Sequence, residues 1–273
     1  MKRVIIDTDP GVDDTAAIFM ALASPELSVE AVTTVYGNGI IKHCTRNALI
    51  ILETAERTDI PVYKGVGKPL MREPNIADYV HGSDALGGVG ISPPAGKAQE
   101  NHAVIELIDR VMASPGEITL LALGPLTNVA LALSIAPEMA NALAELIVMG
   151  GAVLTPGNAS EVATANLYND PEAANIVYRS GAPLVQVGLD VCAKSMISRE
   201  QLDRIEQADT PTMRLLSKIT PHLAGFYAER GYLKPGKAVG YNDVPAVAYA
   251  IDPTLFDIRE YYVRISIHHE LTK

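Results

Sequence analysis

Val4-Ile5-Ile6-Asp7-Thr8-Asp9-Pro10-Gly11-Val12-Asp13-Asp14 is the stretch on which the reading of this chain turns. Val4 to Ile6 is a short apolar run, the pattern of a buried strand. Pro10 and Gly11 break it. Asp13 and Asp14 then open an amphipathic segment, Thr15 to Leu22, that predicts a helix; acidic side chains in a first turn suit the positive end of the helix dipole. Four aspartates thus gather where a strand gives way to a helix. Like charges so close repel and raise one another's pKa unless a cation lies among them. A hard cation held by carboxylate oxygens, Mg²⁺ or Ca²⁺, is the economical explanation. Helix capping by Asp13 or Asp14 and a turn role for Asp7 would account for one or two of these residues and leave the others unexplained.

Outward from this stretch, strands and helices alternate. Leu27 to Thr34 predicts a second strand, leading into Val35-Tyr36-Gly37-Asn38-Gly39, and His43 to Arg57 a helix. A short strand is expected at Ile60 to Tyr63, a helix at His102 to Met112 and a buried strand at Ile118 to Leu123. Leu146 to Met149 and Pro183 to Asp190 read as further strands. Helices are expected at Ser198 to Gln207 and at Thr210 to Arg230, the second interrupted near Pro221, and a last strand at Phe256 to Ile267. Alternation of this kind predicts an α/β fold: an open, Rossmann-like, mostly parallel sheet with helices on both faces. Ligands of such sheets bind beyond the carboxyl ends of the strands. Asp9, Asn38, Thr127 and Met149 all lie just past predicted strand ends. The Gly- and Pro-rich stretch 65–99 lacks periodicity, and a loop of that length in a compact domain is usually functional or mobile.

Composition narrows the function. The chain has 273 residues, 48% of them apolar, and a net charge of -10. One domain over 1–273 can bury a large core. No basic patch invites nucleic acid. Cys44 and Cys192 are the only cysteines, so no disulfide framework is implied and a reducing cytoplasm fits. The first residues lack the apolar core of a signal peptide, and no apolar run is long enough to span a bilayer.

Asp7-Thr8-Asp9-Pro10-Gly11-Val12-Asp13-Asp14 resembles the N-terminal signature of the nucleoside hydrolases, the inosine/uridine-preferring nucleoside N-ribohydrolases. Gly124-Pro125-Leu126-Thr127-Asn128 resembles a second motif of that family, and Asn242-Asp243 stands where the family usually has His-Asp-Pro. The resemblance covers nearly the whole chain. It implies Ca²⁺-dependent hydrolysis of the N-glycosidic bond of ribonucleosides to free base and ribose. It further implies a Ca²⁺ held by Asp9, Asp14, the Thr127 carbonyl and Asp243, with Asp9 as catalytic base. Asp13, Asn38, His81, Met149, Asn158 and Asn166 are implied to bind substrate, Met149 against the sugar, Asn158 and Asn166 on the ribose 5'-hydroxyl side, and His81 from a loop that closes over the nucleoside. A homo-oligomer, dimer or tetramer, is implied as well. Asp7 is expected to orient Asp9 or its loop by hydrogen bonds. Phe226, Tyr227 and Tyr232 fall where the family stacks on the base.

Three features depart from the family pattern. Thr164 replaces a glutamate that grips the ribose 5'-hydroxyl, with Glu161 a candidate to reach in instead. Asn242 replaces a histidine that protonates the leaving base in some members, and an amide cannot transfer a proton in that way. The chain is also short at its C-terminus for the family. Two other readings follow. In a haloacid dehalogenase-like phosphatase Asp7 would be the nucleophile and Asp9 the acid/base; in a non-catalytic nucleoside-binding relative the departures would have removed the chemistry.

Overall fold

The computed structural model describes residues 1–267. Its centre is a six-stranded, wholly parallel sheet. The strands are β1 (Lys2–Thr8), β2 (Leu27–Thr34), β3 (Val62–Lys64), β4 (Ile118–Ala122), β5 (Glu145–Met149) and β6 (Leu184–Val187), in the order β3-β2-β1-β4-β5-β6. The order reverses between β1 and β4, which opens a crevice at their carboxyl ends, where ligands of such sheets sit. Asp7 is level with Ala122 across that boundary. A two-stranded antiparallel ribbon, Ile197–Ser198 with Lys237–Val239, lies apart from the sheet.

Side chains alternate along each strand and feed two cores, one per face. Val4 and Ile6 belong to one core with the helices Val12–Ala23, Ile41–Thr54, Pro211–Glu229 and Val244–Ile251. Ile5, Leu120 and Leu146 belong to the other, with Ala103–Ala113, Thr127–Ile135 and Pro171–Tyr178. Helices therefore cover both faces, as the alternating pattern predicts.

Two expected elements differ. Pro211–Glu229 runs unbroken through Pro221. That proline lies on the exposed side of the helix, where its missing N–H and its ring disturb no packing. The strand expected at Phe256 to Ile267 does not form; a 3₁₀ turn at Pro253–Leu255 is followed by irregular chain. Its composition favours a strand, but β6 is the sheet's edge and no strand ladder among the described residues includes this segment. Side chains hold it instead: Asn175 Nδ2 donates to the Ile265 carbonyl at 2.9 Å and Arg72 Nη2 to that of Ile267 at 3.0 Å. Strand propensity without a neighbouring strand is not enough.

One buried amide ties the carboxyl ends of the strands together. Asn128 Nδ2 donates to Asp7 Oδ1 at 2.8 Å and to the Thr34 carbonyl at 3.0 Å, and its Oδ1 accepts from the Val66 N–H at 3.0 Å. It thus links β1, β2 and the chain after β3. Asn128→Ala removes one of two donors from Asp7 Oδ1 and from the Thr34 carbonyl and the acceptor of the Val66 N–H, and a loss of roughly 2–3 kcal/mol in urea unfolding is expected. A loss under about 1 kcal/mol would show that the network carries little of the fold's stability.

Candidate active site

The site begins where β1 ends. Gly11 caps the helix Val12–Ala23, and Asp13 and Asp14 occupy its first turn. Asp14 Oδ2 reaches back to accept from the Gly11 N–H at 2.9 Å, which pins the chain's entry into the helix. Asp14 also accepts from the Thr8 hydroxyl and, at 2.7 Å, from Asn38 Nδ2. Asp243 comes from far along the chain, at the N-terminus of Val244–Ile251. Asp13, Asp14 and Asp243 thus stand at two helix N-termini, whose dipoles favour negative charge.

One carboxylate oxygen from each of Asp13, Asp14 and Asp243 lies within 4.8 Å of the others, and all three residues are buried. Asp9 lies beside them. Its Oδ2 accepts from the Asn38 N–H at 2.7 Å, while Oδ1 is buried without a hydrogen-bond partner. Asp13 Oδ1 is likewise unpartnered. The turn fits only because glycines line it. A Cβ at Gly37 would fall 2.1 Å from Asp9 Oδ2, and one at Gly124 would fall 2.6 Å from Asp9 Oδ1.

Burial raises every carboxylate here. It lifts Asp7, Asp13 and Asp14 to about 6, repulsion from Asp13 adding to the rise at Asp14. Asp9 and Asp243 stand well above the usual range, through burial first and then the charges of their neighbours. Burial instead lowers His81 to about 4. Its Nδ1 accepts from the Val12 N–H at 3.3 Å. His81 is therefore neutral, and its 3.8 Å approach to Asp13 Oδ1 is no ion pair. Buried carboxylates with orphaned oxygens, clustered and all raised, have the donor chemistry of a hard-cation site.

The cluster opens on a cavity of about 290 Å³. Three groups of side chains line it. The first is Asp13, Asn38, His81 and Asp243. The second is Met149, Asn158, Ala159, Thr164, Ala165 and Asn166. The third is aromatic: Tyr79, Phe226, Tyr227 and Tyr232, with neighbouring ring centroids 6.0–6.2 Å apart and Arg230 over the Phe226 ring.

The structure therefore brings Asp13, Asn38, His81, Met149, Asn158, Asn166 and Asp243 to one cavity, with Asp9 and Asp14 buried beside its acidic wall. Thr127 is not among them. Its hydroxyl donates to Asp170 Oδ2 at 2.7 Å, and it lines a separate cavity with Lys64, Lys68 and His102. The strand-end residue that lines the active cavity is Leu123, whose carbonyl accepts from Asn166 Nδ2 at 2.5 Å. An apolar residue after a strand carries no signal of a site, so only the fold could point to Leu123. Tyr79 and Arg230 were also silent in the sequence: one lies in an aperiodic stretch, the other just past a helix end. Asp7 bonds Thr33 and Asn128 and does not touch Asp9.

The sequence profile described as inosine-uridine preferring nucleoside hydrolase matches residues 4–273. The chain belongs to this nucleoside hydrolase family. It is 39% identical over 271 residues to a probable uridine nucleosidase 2 of Arabidopsis thaliana, covering 97% of this chain and 82% of that protein. A solved plant nucleoside hydrolase superposes with a TM-score of 0.90 at 40% identity, over 94% of this chain and 80% of the other. A purine-preferring ribonucleoside hydrolase from Gardnerella vaginalis gives 0.89 at 34% identity, over 93% and 81%. The chain is accordingly an enzyme of N-ribosyl bond hydrolysis.

Within this nucleoside hydrolase the departures have defined places. Thr164 is buried, and its Oγ1 accepts from the Gly151 N–H at 2.9 Å. Glu161 is exposed and outside the cavity lining. Asn242 Nδ2 donates to the Tyr227 hydroxyl at 3.1 Å. The phosphatase alternative finds no support: Asp7, its nucleophile, is sealed in the sheet and does not line the cavity.

A carboxylate whose folded pKa lies above its unfolded one makes the folded chain bind extra protons, so stability falls as pH rises from about 4 through the raised values. Metal-free protein is therefore expected to melt at a higher temperature at pH 5.5 than at pH 7.5. A divalent cation, or Asp243→Asn, should narrow the difference. Differential scanning calorimetry of chelator-treated samples checks this, and a higher melting temperature at pH 7.5 would contradict it.

Proposed function

We propose that this enzyme hydrolyses the N-glycosidic bond of ribonucleosides, releasing base and ribose, with a Ca²⁺ held by Asp9, Asp14, Asp243 and a main-chain carbonyl. The observation that carries this is the pair of orphaned oxygens, Asp9 Oδ1 and Asp13 Oδ1, within a buried acidic cluster that opens on a cavity with an aromatic wall. Leu123 supplies the carbonyl in place of Thr127, because Leu123 lines the cavity and Thr127 does not. A bound divalent cation would lower the pKa of a coordinated water and offset the repulsion among the carboxylates.

The chain's own groups divide the remaining work. Asp9 is the general base: Asn38 holds Oδ2, and Oδ1 is free to take a proton from the attacking water. That water adds to C1' as the bond to the base nitrogen breaks and its electron pair leaves with the base. The sugar passes through an oxocarbenium-like state, which the carboxylates stabilise. Asp13 Oδ1 accepts from a ribose hydroxyl, with Asn38 nearby. Loss of that hydroxyl would strand buried acceptors and select ribose over 2'-deoxyribose. Tyr79, Phe226 and Tyr232 stack on the base. The Tyr227 oxygen accepts from Asn242, which leaves its O–H to donate to the departing base. A cytoplasmic homo-oligomer belongs to the same reading. Among the described residues no helix is long and apolar enough to cross a membrane.

Free ribose released from uridine or inosine is expected to vanish with chelator and return with Ca²⁺. Asp9→Ala should lower kcat by roughly 10²–10⁴-fold, with a smaller loss for Asp7→Asn. Tight nucleoside binding without ribose release, with Ca²⁺ present, would favour the non-catalytic reading. Activity that survives both chelation and Asp9→Ala would refute the mechanism.

A further inference from the structure

The stretch 65–99 holds one helix, the short Asp78–His81, and no strand. Without a ladder of its own, such a stretch depends on partners elsewhere. Between Leu70 and Asn75 they lie at one place. The Leu70 N–H donates to Asp170 Oδ2 at 2.9 Å, Arg72 Nε and Nη2 to the Glu172 carboxylate at 2.8–3.1 Å, and the Asn75 N–H to Asn169 Oδ1 at 2.9 Å. Asn169, Asp170 and Glu172 stand where the helix Ala165–Asn169 meets the helix Pro171–Tyr178. This junction is itself fixed. Asp170 caps the second helix through the Ala173 N–H at 3.0 Å and accepts from the Thr127 hydroxyl, and Asn169 and Asp170 are both buried. Asn166, three residues before Asn169, lines the active cavity. Side chains three apart on a helix are neighbours, so one helical turn serves both the cavity and the loop beside it.

What this loop delivers to the cavity is Tyr79. His81 has an anchor of its own, the Val12 N–H. Tyr79 is about half exposed and has no side-chain hydrogen bond among the described residues; its ring meets Phe226, centroids 6.1 Å apart. Its place is therefore set by the backbone that leads to it. From this geometry we propose that Asn169 is a positioning residue for nucleoside binding, acting through the Asn75 N–H on the Tyr79 ring. That ring stacks on the base in the reading above, on which this proposal rests. A wall fixed in advance spares the nucleoside the cost of ordering it. Stacking holds the base alike before and during bond cleavage, so its loss raises KM and leaves kcat nearly unchanged. The carboxylates Asp9 and Asp14 are held by other partners, Thr8, Gly11 and Asn38, and among the described residues Asn169 bonds neither.

The test is a double-mutant cycle on the Ca²⁺-loaded enzyme, with uridine and inosine as substrates and Asn169→Ala, Tyr79→Ala and their combination as variants. Asn169→Ala is expected to raise KM about fivefold with kcat within about twofold of wild type. In the Tyr79→Ala background the same substitution should change KM by less than about twofold, because the ring through which it acts is gone. A purely structural role for Asn169 predicts the same effect with or without that ring. Arg72→Ala removes the partly buried ion pair with Glu172 on the same path, and it should raise KM about threefold, again only while Tyr79 is present. It decides the question if circular dichroism shows Asn169→Ala unfolded. Additive effects, an unchanged KM or a loss confined to kcat, in an enzyme whose wild type releases ribose, would overturn this inference and leave the hydrolase reading intact. Release of no ribose by the wild type from either nucleoside would overturn the hydrolase reading and this inference together.

Discussion

Repulsion among buried carboxylates governs the architecture of this protein. Asp9, Asp13, Asp14 and Asp243 are each at most a few per cent exposed, where isolated ionised carboxylates are costly. The surrounding chain is shaped to make the cluster tolerable. Two helices begin at it, the Thr8 hydroxyl and the amides of Asn38 and Gly11 donate to it, and Gly37 and Gly124 stand back from it. None of these neutralises the charge. Two oxygens of these four residues remain without partners; burial raises all four pKa values, and neighbouring charge adds to the rise at Asp9, Asp14 and Asp243. A fold that spends so many contacts holding unsatisfied negative charge at a cavity wall is organised around something positive that binds there.

The N-terminal half of that arrangement is legible in the sequence because it is local. A strand, a Pro-Gly break and two aspartates in a first helical turn can be read as one unit, and the alternation of strands and helices places it at the end of a parallel sheet. Asp243 is legible only by resemblance, since nothing local distinguishes an Asn-Asp at a helix start from an ordinary cap. Leu123 and Thr127 show a sharper limit. Both follow β4, and the polar side chain draws attention, but the residue that lines the cavity is the apolar Leu123. The segment Phe256 to Ile267 shows the converse. Its residues favour a strand, yet strand formation depends on a neighbour that the local sequence does not contain.

The substitutions that depart from the family pattern are absorbed by the protein rather than left as gaps. Thr164 bonds the Gly151 N–H, and Asn242 bonds the Tyr227 hydroxyl. Each residue orders its own surroundings, so neither position is a vacancy awaiting the missing glutamate or histidine. At Asn242 the result is a tyrosine hydroxyl held as an acceptor on one side and free to donate on the other. At Thr164 the result is a wall without charge. Burial raises the Tyr227 hydroxyl further, with nearby Asp13 adding to the shift. A proton so tightly held is suited to sharing in a hydrogen bond with the leaving base, and less to complete transfer.

The acidic, neutral and aromatic walls of the cavity are built differently, and on the proposed reading the difference would bear on specificity. The acidic and neutral groups sit mostly at strand ends, first helical turns and the loops that join them, with side chains bonded to one another and to backbone. The aromatic wall comes from the short helix Asp78–His81 and from the end of Pro211–Glu229 and the turn beyond it, and Tyr79 and Tyr232 are about half exposed. Tilted ring contacts are worth only about 0.5–1.5 kcal/mol each, so this wall can be recomposed at little cost to the fold. The carboxylate cluster cannot, since its members are buried just past the end of β1 and at the N-termini of two core helices. A plant nucleoside hydrolase and a purine-preferring one from Gardnerella vaginalis both superpose on this chain at TM-scores near 0.9, so they share the frame that carries the cluster. On the proposed reading the carboxylate cluster would fix the chemistry at C1', and the choice of base would rest with the aromatic side chains outside the sheet.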